Sequence, residues 1–175
     1  MKTMINSIIL AISLLIVGMD LAAQAKDYTT TGSAIRVKKI AFVNVNVYQI
    51  THQMKDIPAT RSAQEFINAE TDKRLILKMK RDVDSAKIVA AINDAYALNG
   101  YSNKANQDTF SSVLTGDLKE NDTITISYNA ATKATTCNYA GKTSTVNGAD
   151  FMKATWSIWF GKIDQPALTT ALVGK

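Results

Sequence analysis

Gly32-Ser-Ala-Ile-Arg-Val-Lys-Lys-Ile-Ala-Phe-Val-Asn-Val-Asn-Val-Tyr48 is the most strand-like run of the chain, and it holds one arginine in its interior. Val43, Val45, Val47 and Ile50 are β-branched, and Phe42 and Tyr48 add aromatic area, so extended backbone is expected throughout. Arg36 has the parity of Phe42 and Tyr48, and a regular strand turns all three to one side. From Ala34 to Ile50 a straight strand would measure about 55 Å at ~3.3 Å per residue, far beyond the usual length. The run must therefore bend or turn. Lys38-Lys39 is the expected interruption, although it lacks the Asn-Gly chemistry of a tight hairpin.

Outward from this run, Gly32 predicts an entry turn or bulge, and Lys26 to Thr31 a polar lead-in strand or loop. After Pro58, Ser62 to Ala69 reads as a short helix carrying Phe66 and Ile67. Arg74 to Arg81 alternates as a half-buried strand with Leu75, Leu77 and Met79 inward. Asp84 can cap a helix whose stripe is Ile88, Val89, Ile92, Ala95 and Tyr96, ending at Gly100. A second helix is expected from about Gln107 to Leu118, broken by Glu120-Asn121-Asp122. Thr123 to Tyr128, Thr135 to Tyr139 and Lys142 to Val146 form a three-stranded meander with a turn at Ala140-Gly141. A helix with Phe151, Met152, Thr155, Trp156, Trp159 and Phe160 follows, closed by Gly161, and Pro166 opens a last short one. Strands on both sides of the middle helices predict an α+β fold, a large antiparallel sheet with helices packed on one face.

The 175 residues, with 46% hydrophobic content, suit one domain behind a leader. Lys2, the apolar run from Ile5 to Val17 and Ala23-Gln24-Ala25 have the form of a signal peptide over residues 1–25, which leaves 26–175 as the domain. The alternative is an uncleaved anchor, for which the apolar run is shorter than the ~20 residues of a span. No cysteine near the leader's end offers a lipid attachment point, so no stable membrane anchor is expected after cleavage. The expected location is exported, periplasmic or secreted. Cys137 is the sole cysteine, which excludes an intramolecular disulfide, and it reads as a strand residue. The net charge of +5 comes from scattered lysines and arginines without a basic helix or stacking motif, which argues against a nucleic-acid partner.

His52, the single histidine, has no metal-ligand spacing around it and no serine in a nucleophile elbow; it reads as an ordinary loop residue just beyond a strand. No metal, no nucleotide loop and no cofactor is expected. Arg36 has two readings, a solvent-facing or salt-bridged strand arginine and an anion anchor at one end of an apolar pocket. In the second, the guanidinium meets a carboxylate with two parallel hydrogen bonds and a tyrosine hydroxyl supplies a third. Trp156 and Trp159, three apart on a helix, are core residues or an apolar wall of that pocket.

Gly32-x-Ala34-x-Arg36 with Phe42 to Tyr48, the run Lys73 to Val83 followed by a helix, and Trp156-Ser-Ile-Trp-Phe-Gly161 with Pro166 and Leu172-Val-Gly174 together resemble the chalcone isomerase-like family, in that order and over about Thr31 to Gly174. The resemblance implies an open-faced sheet covered by helices, with a ligand cleft between the layers. Catalytic members close a flavonoid ring with the help of an arginine, a threonine, a tyrosine and an asparagine. Other members bind fatty acids without catalysis, an arginine and a tyrosine holding the carboxylate. Carried onto this chain, Arg36 matches the arginine; the threonine position falls on Tyr48 or Val43; the tyrosine falls on Ala86; Asn93 takes the place of the asparagine; and a substrate-selecting position falls on Ile158. With the threonine and tyrosine missing, much of the donor network that would polarise an enone is gone. The implied ligand site is thus Arg36, Tyr48, Val43, Asn93 and Ile158, with no catalytic residue assigned. The expected function is an exported bacterial binder of a fatty acid or similar amphipathic carboxylate. The alternatives are an intramolecular lyase or isomerase acting on a chalcone-like enone and a structural or interaction protein of the cell envelope.

Overall fold

In the computed structural model, residues 26–174 are described, and the expected leader lies outside them. Six strands run in sequence order as one antiparallel meander: β1 (Thr29–Ile40), β2 (Val43–Met54), β3 (Lys73–Met79), β4 (Thr123–Asn129), β5 (Ala134–Tyr139) and β6 (Lys142–Asn147). Among the described residues five helices accompany them: α1 (Ala63–Asn68), α2 (Ser85–Leu98), α3 (Lys104–Ser111), α4 (Ala149–Phe160) and α5 (Pro166–Val173). The α+β expectation holds. Strand alternation is clean, as an antiparallel sheet with one covered face requires. Ile50, Leu75, Leu77, Ile124, Ile126 and Cys137 are buried toward the helices, whereas Thr51, Arg74, Lys78, Thr125 and Asn138 occupy the other face.

The long run does turn, but not at Lys38-Lys39. Pairing continues through Lys38↔Val45, Lys39↔Asn44 and Ile40↔Val43, so the chain reverses at Ala41-Phe42. Ala41 takes a φ of 53°, which costs a non-glycine residue roughly 1–2 kcal/mol. The pair next to the turn, Ile40↔Val43, is β-branched on both strands, so side-chain pairing and not turn chemistry marks this reversal. Two irregularities interrupt the β1–β2 ladder, one between Thr30 and Gly32 and one between Arg36 and Val37. The first is the predicted bulge. Gly32 is required there by close approach, since a Cβ would stand 2.0 Å from the Ala171 carbonyl oxygen of α5.

Helix α2 starts where Asp84 caps it, accepting from the Ala86 and Lys87 amides. Helix α3 departs from expectation at both ends. Asn103 accepts from the Asn106 amide and starts it early, and the chain leaves the helix after Ser111. Gly116 (φ 75°) then lets Leu118 reach an isolated bridge with Val83. Val113, Leu114 and Leu118 are still buried, but they lie beyond the helix and not on it. At β5–β6, Ala140 and Gly141 both have positive φ, as a tight hairpin demands.

His52 corrects the reading made from sequence. It lies within β2, fully buried, because the strand runs on to Met54 and the ring sits among Phe66, Trp156 and Phe160. Its Nε2 accepts from Trp156 Nε1 at 2.9 Å, and indole can only donate. The ring proton is therefore on Nδ1 and goes to Thr31 Oγ1 at 2.7 Å, which in turn donates to the Leu172 carbonyl at 2.8 Å. One chain of hydrogen bonds thus ties α4, β2, β1 and α5 together.

Candidate functional site

A cavity of about 290 Å3 lies between the sheet and helices α2, α3 and α4. That is close to the lower end of the ~300–1,000 Å3 usual for small-molecule sites. Its floor is apolar, with Leu77 and Met79 from β3, Ile124 and Ile126 from β4 and Cys137 from β5. Ile88 and Ile92 of α2, Phe110 of α3, and Ile158 and Trp159 of α4 form the walls. Exposed lining residues mark the mouth: Lys38, Asp94, Leu98, Lys162 and Asp164.

Arg36 and Tyr48 meet at this mouth. A straight strand would hold them about 40 Å apart at ~3.3 Å per residue, but the hairpin makes them direct cross-strand partners. The Tyr48 hydroxyl accepts from Trp159 Nε1 at 3.0 Å. With that acceptor role filled by a donor-only group, the phenolic proton is left to point elsewhere. Burial pushes the Tyr48 hydroxyl above its ordinary range, against the opposing pulls of the Trp159 hydrogen bond and the Arg36 charge. It stays a neutral donor at physiological pH.

Arg36 Nη2 contacts Asp164 Oδ1 at 2.6 Å, and Nη1 donates to Gln165 Oε1 at 3.2 Å. Gln165 also accepts from the Val37 amide at 2.9 Å and donates to the Ile35 carbonyl at 2.9 Å. It therefore grips the backbone on both sides of the bulge that aims the guanidinium. The two readings of Arg36 are joined here: it is salt-bridged, and it lines an apolar cavity.

Ile158 is in the wall. Val43 and Asn93 are not in the lining. Val43 is 63% exposed beside the hairpin turn, and Asn93 is half-buried on α2, its Oδ1 lacking a hydrogen-bond partner among the described residues. Cys137 is a buried strand residue, and burial alone pushes its thiol up to about 12, so it serves the floor as an apolar group. Asp164, Gln165 and Lys38 were not anticipated. The one available signal was an acid and an amide immediately before Pro166, where a helix start is forced.

A meander sheet carries a helical layer on one face, and the cleft between them is apolar with a cation at its mouth. The chain belongs to the chalcone isomerase-like family, whose model matches residues 17–173. Among solved structures, a fatty-acid binding protein of Arabidopsis thaliana shares the fold with a TM-score of 0.67 and 12% identity, over 84% of this chain and 87% of that one. Among curated proteins, no match was found.

Proposed function

We propose that the protein binds a fatty acid or similar amphipathic carboxylate, without catalysis, in the cavity between sheet and helices. The observation that carries this reading is the pairing of Arg36 with the neutral Tyr48 hydroxyl at the mouth of an otherwise apolar cavity. A buried carboxylate needs compensation for several lost kcal/mol of hydration, and a guanidinium with a phenol beside it offers three donors. The Arabidopsis protein of the same fold, described as binding fatty acids, supports this choice of ligand class. Absence of a tyrosine at Ala86 and of a threonine at Tyr48 or Val43 supports binding over ring closure. The leader-like residues 1–25 support an exported protein acting in the periplasm or outside the cell.

Decanoate titrated by calorimetry, beside decanol, tests the reading. The acid should bind and the alcohol should bind far more weakly. Arg36→Ala should lose about 1.5–3 kcal/mol of acid affinity, roughly tenfold to a hundredfold. If Arg36→Ala holds decanoate as tightly as the unaltered protein, the anchor role is wrong.

A further inference from the structure

We propose that the free end of the β1–β2 hairpin docks on an anionic lipid surface, which sets the mouth of the cavity against the membrane. Strand β3 pairs with β2 only from Tyr48 onward, and the Gln165 and Asp164 contacts reach no further than Lys38, so residues 39–44 stand beyond the sheet as a two-stranded projection. At its tip Phe42 is 96% exposed, with Ile40 and Val43 exposed beside it. Apolar groups of this size left in water and gathered at one point mark a contact surface.

The register after the bulge gives the projection two unlike faces. Ile40↔Val43 and Lys38↔Val45 lie on the side of Arg36 and Tyr48, while Lys39↔Asn44 and Val37↔Asn46 lie on the other. The apolar face therefore runs from the tip toward the cavity, and Lys38 belongs both to it and to the cavity lining. Across the mouth Leu98, 53% exposed, continues the apolar surface on α2.

Charge selects the occupant. Between Val37 and Val47 there are two lysines and no acid. Lys38 shares Asp164 with Arg36, at 3.9 Å, and Lys39 makes no ion pair among the described residues. An aromatic tip flanked by lysines suits insertion at headgroup level with the ammonium groups on anionic lipid. A second copy of the chain fits less well, since a stable protein interface takes about 20–30 residues a side, far more than this tip presents. The docking proposal goes beyond the fatty-acid reading and rests on it only for the benefit of facing the membrane.

Co-sedimentation of the chain from Lys26 onward, which carries every helix and strand described, decides the matter. Vesicles of phosphatidylcholine alone and of phosphatidylcholine with phosphatidylglycerol are compared, and decanoate binding is measured separately without vesicles. The protein should partition onto the anionic vesicles and come off with salt. The double variant Phe42→Ser/Lys39→Ser should partition about tenfold less while melting normally and binding decanoate unchanged. Failure of the unaltered protein to bind anionic vesicles, or equal binding by the variant, overturns the proposal. So does a dimer in sedimentation equilibrium that the variant abolishes. Vesicle binding without decanoate binding leaves the docking standing and removes the fatty-acid reading instead.

Discussion

The guanidinium of Arg36 already holds a carboxylate, that of Asp164, and any ligand acid must contest it. The two side chains differ in exposure, 16% for Arg36 and 60% for Asp164. A pair with one partner so exposed is worth about 0–1 kcal/mol, less than a desolvated ligand acid can gain from the same donors. In the proposed function Asp164 is thus a weak placeholder that keeps the cation satisfied. Asp164→Asn should raise decanoate affinity several-fold, measured by calorimetry at constant ionic strength; unchanged or weaker binding would mean that the aspartate does not compete. The sequence disclosed Arg36 as a charge inside a strand and Tyr48 as an aromatic one, but not their pairing, which depends on the one-residue bulge between Arg36↔Tyr48 and Val37↔Asn46, and not Asp164, because a lone acid in a loop carries no pattern of its own. His52 was misread for the same reason: a single imidazole looks alike in a loop or a core until its neighbours are known.

Elements show the same division between pattern and partner. The meander β4–β6 and helices α1, α2, α4 and α5 were legible because apolar periodicity, caps and turn residues all agreed. The β1–β2 turn was not, because strand pairing, a long-range property, moved the reversal to Ala41-Phe42, which has no turn signature. Gly32 was legible as a break but not as a contact. With the Ala171 carbonyl oxygen 2.0 Å from its would-be Cβ, Gly32→Ala forces β1 and α5 apart. An overpacking cost of about 1–3 kcal/mol is expected, read as a lower urea midpoint; a midpoint equal to that of the unaltered protein would show that α5 can shift freely.

Across the whole molecule, buried titratable groups set how stability follows pH. Burial, helped by the Lys73 charge, pushes His52 down to about 3 from an ordinary 6.5. Between those values the unfolded chain binds a proton that the folded one refuses, so stability falls as pH drops through this window. The loss should reach roughly 3 kcal/mol by pH 4, at about 1.4 kcal/mol per unit. Urea denaturation of the unaltered protein and of His52→Gln checks it: the variant should lose the slope between pH 6.5 and 4, and an equal slope would assign the dependence elsewhere. Lys73 acts in the same direction at higher pH. It is buried over the Trp156 ring, with Nζ donating to the Phe66 and Ile67 carbonyls at the end of α1, and burial lowers it to about 7.

Gln165 and Asp164 stand far down the chain from the arginine they hold, 129 residues on in the case of Gln165. During synthesis the guanidinium and its hairpin exist long before the two groups that orient them. Order at the guanidinium is therefore the last thing the chain acquires, and it arrives only with the residues that lead into its final helix.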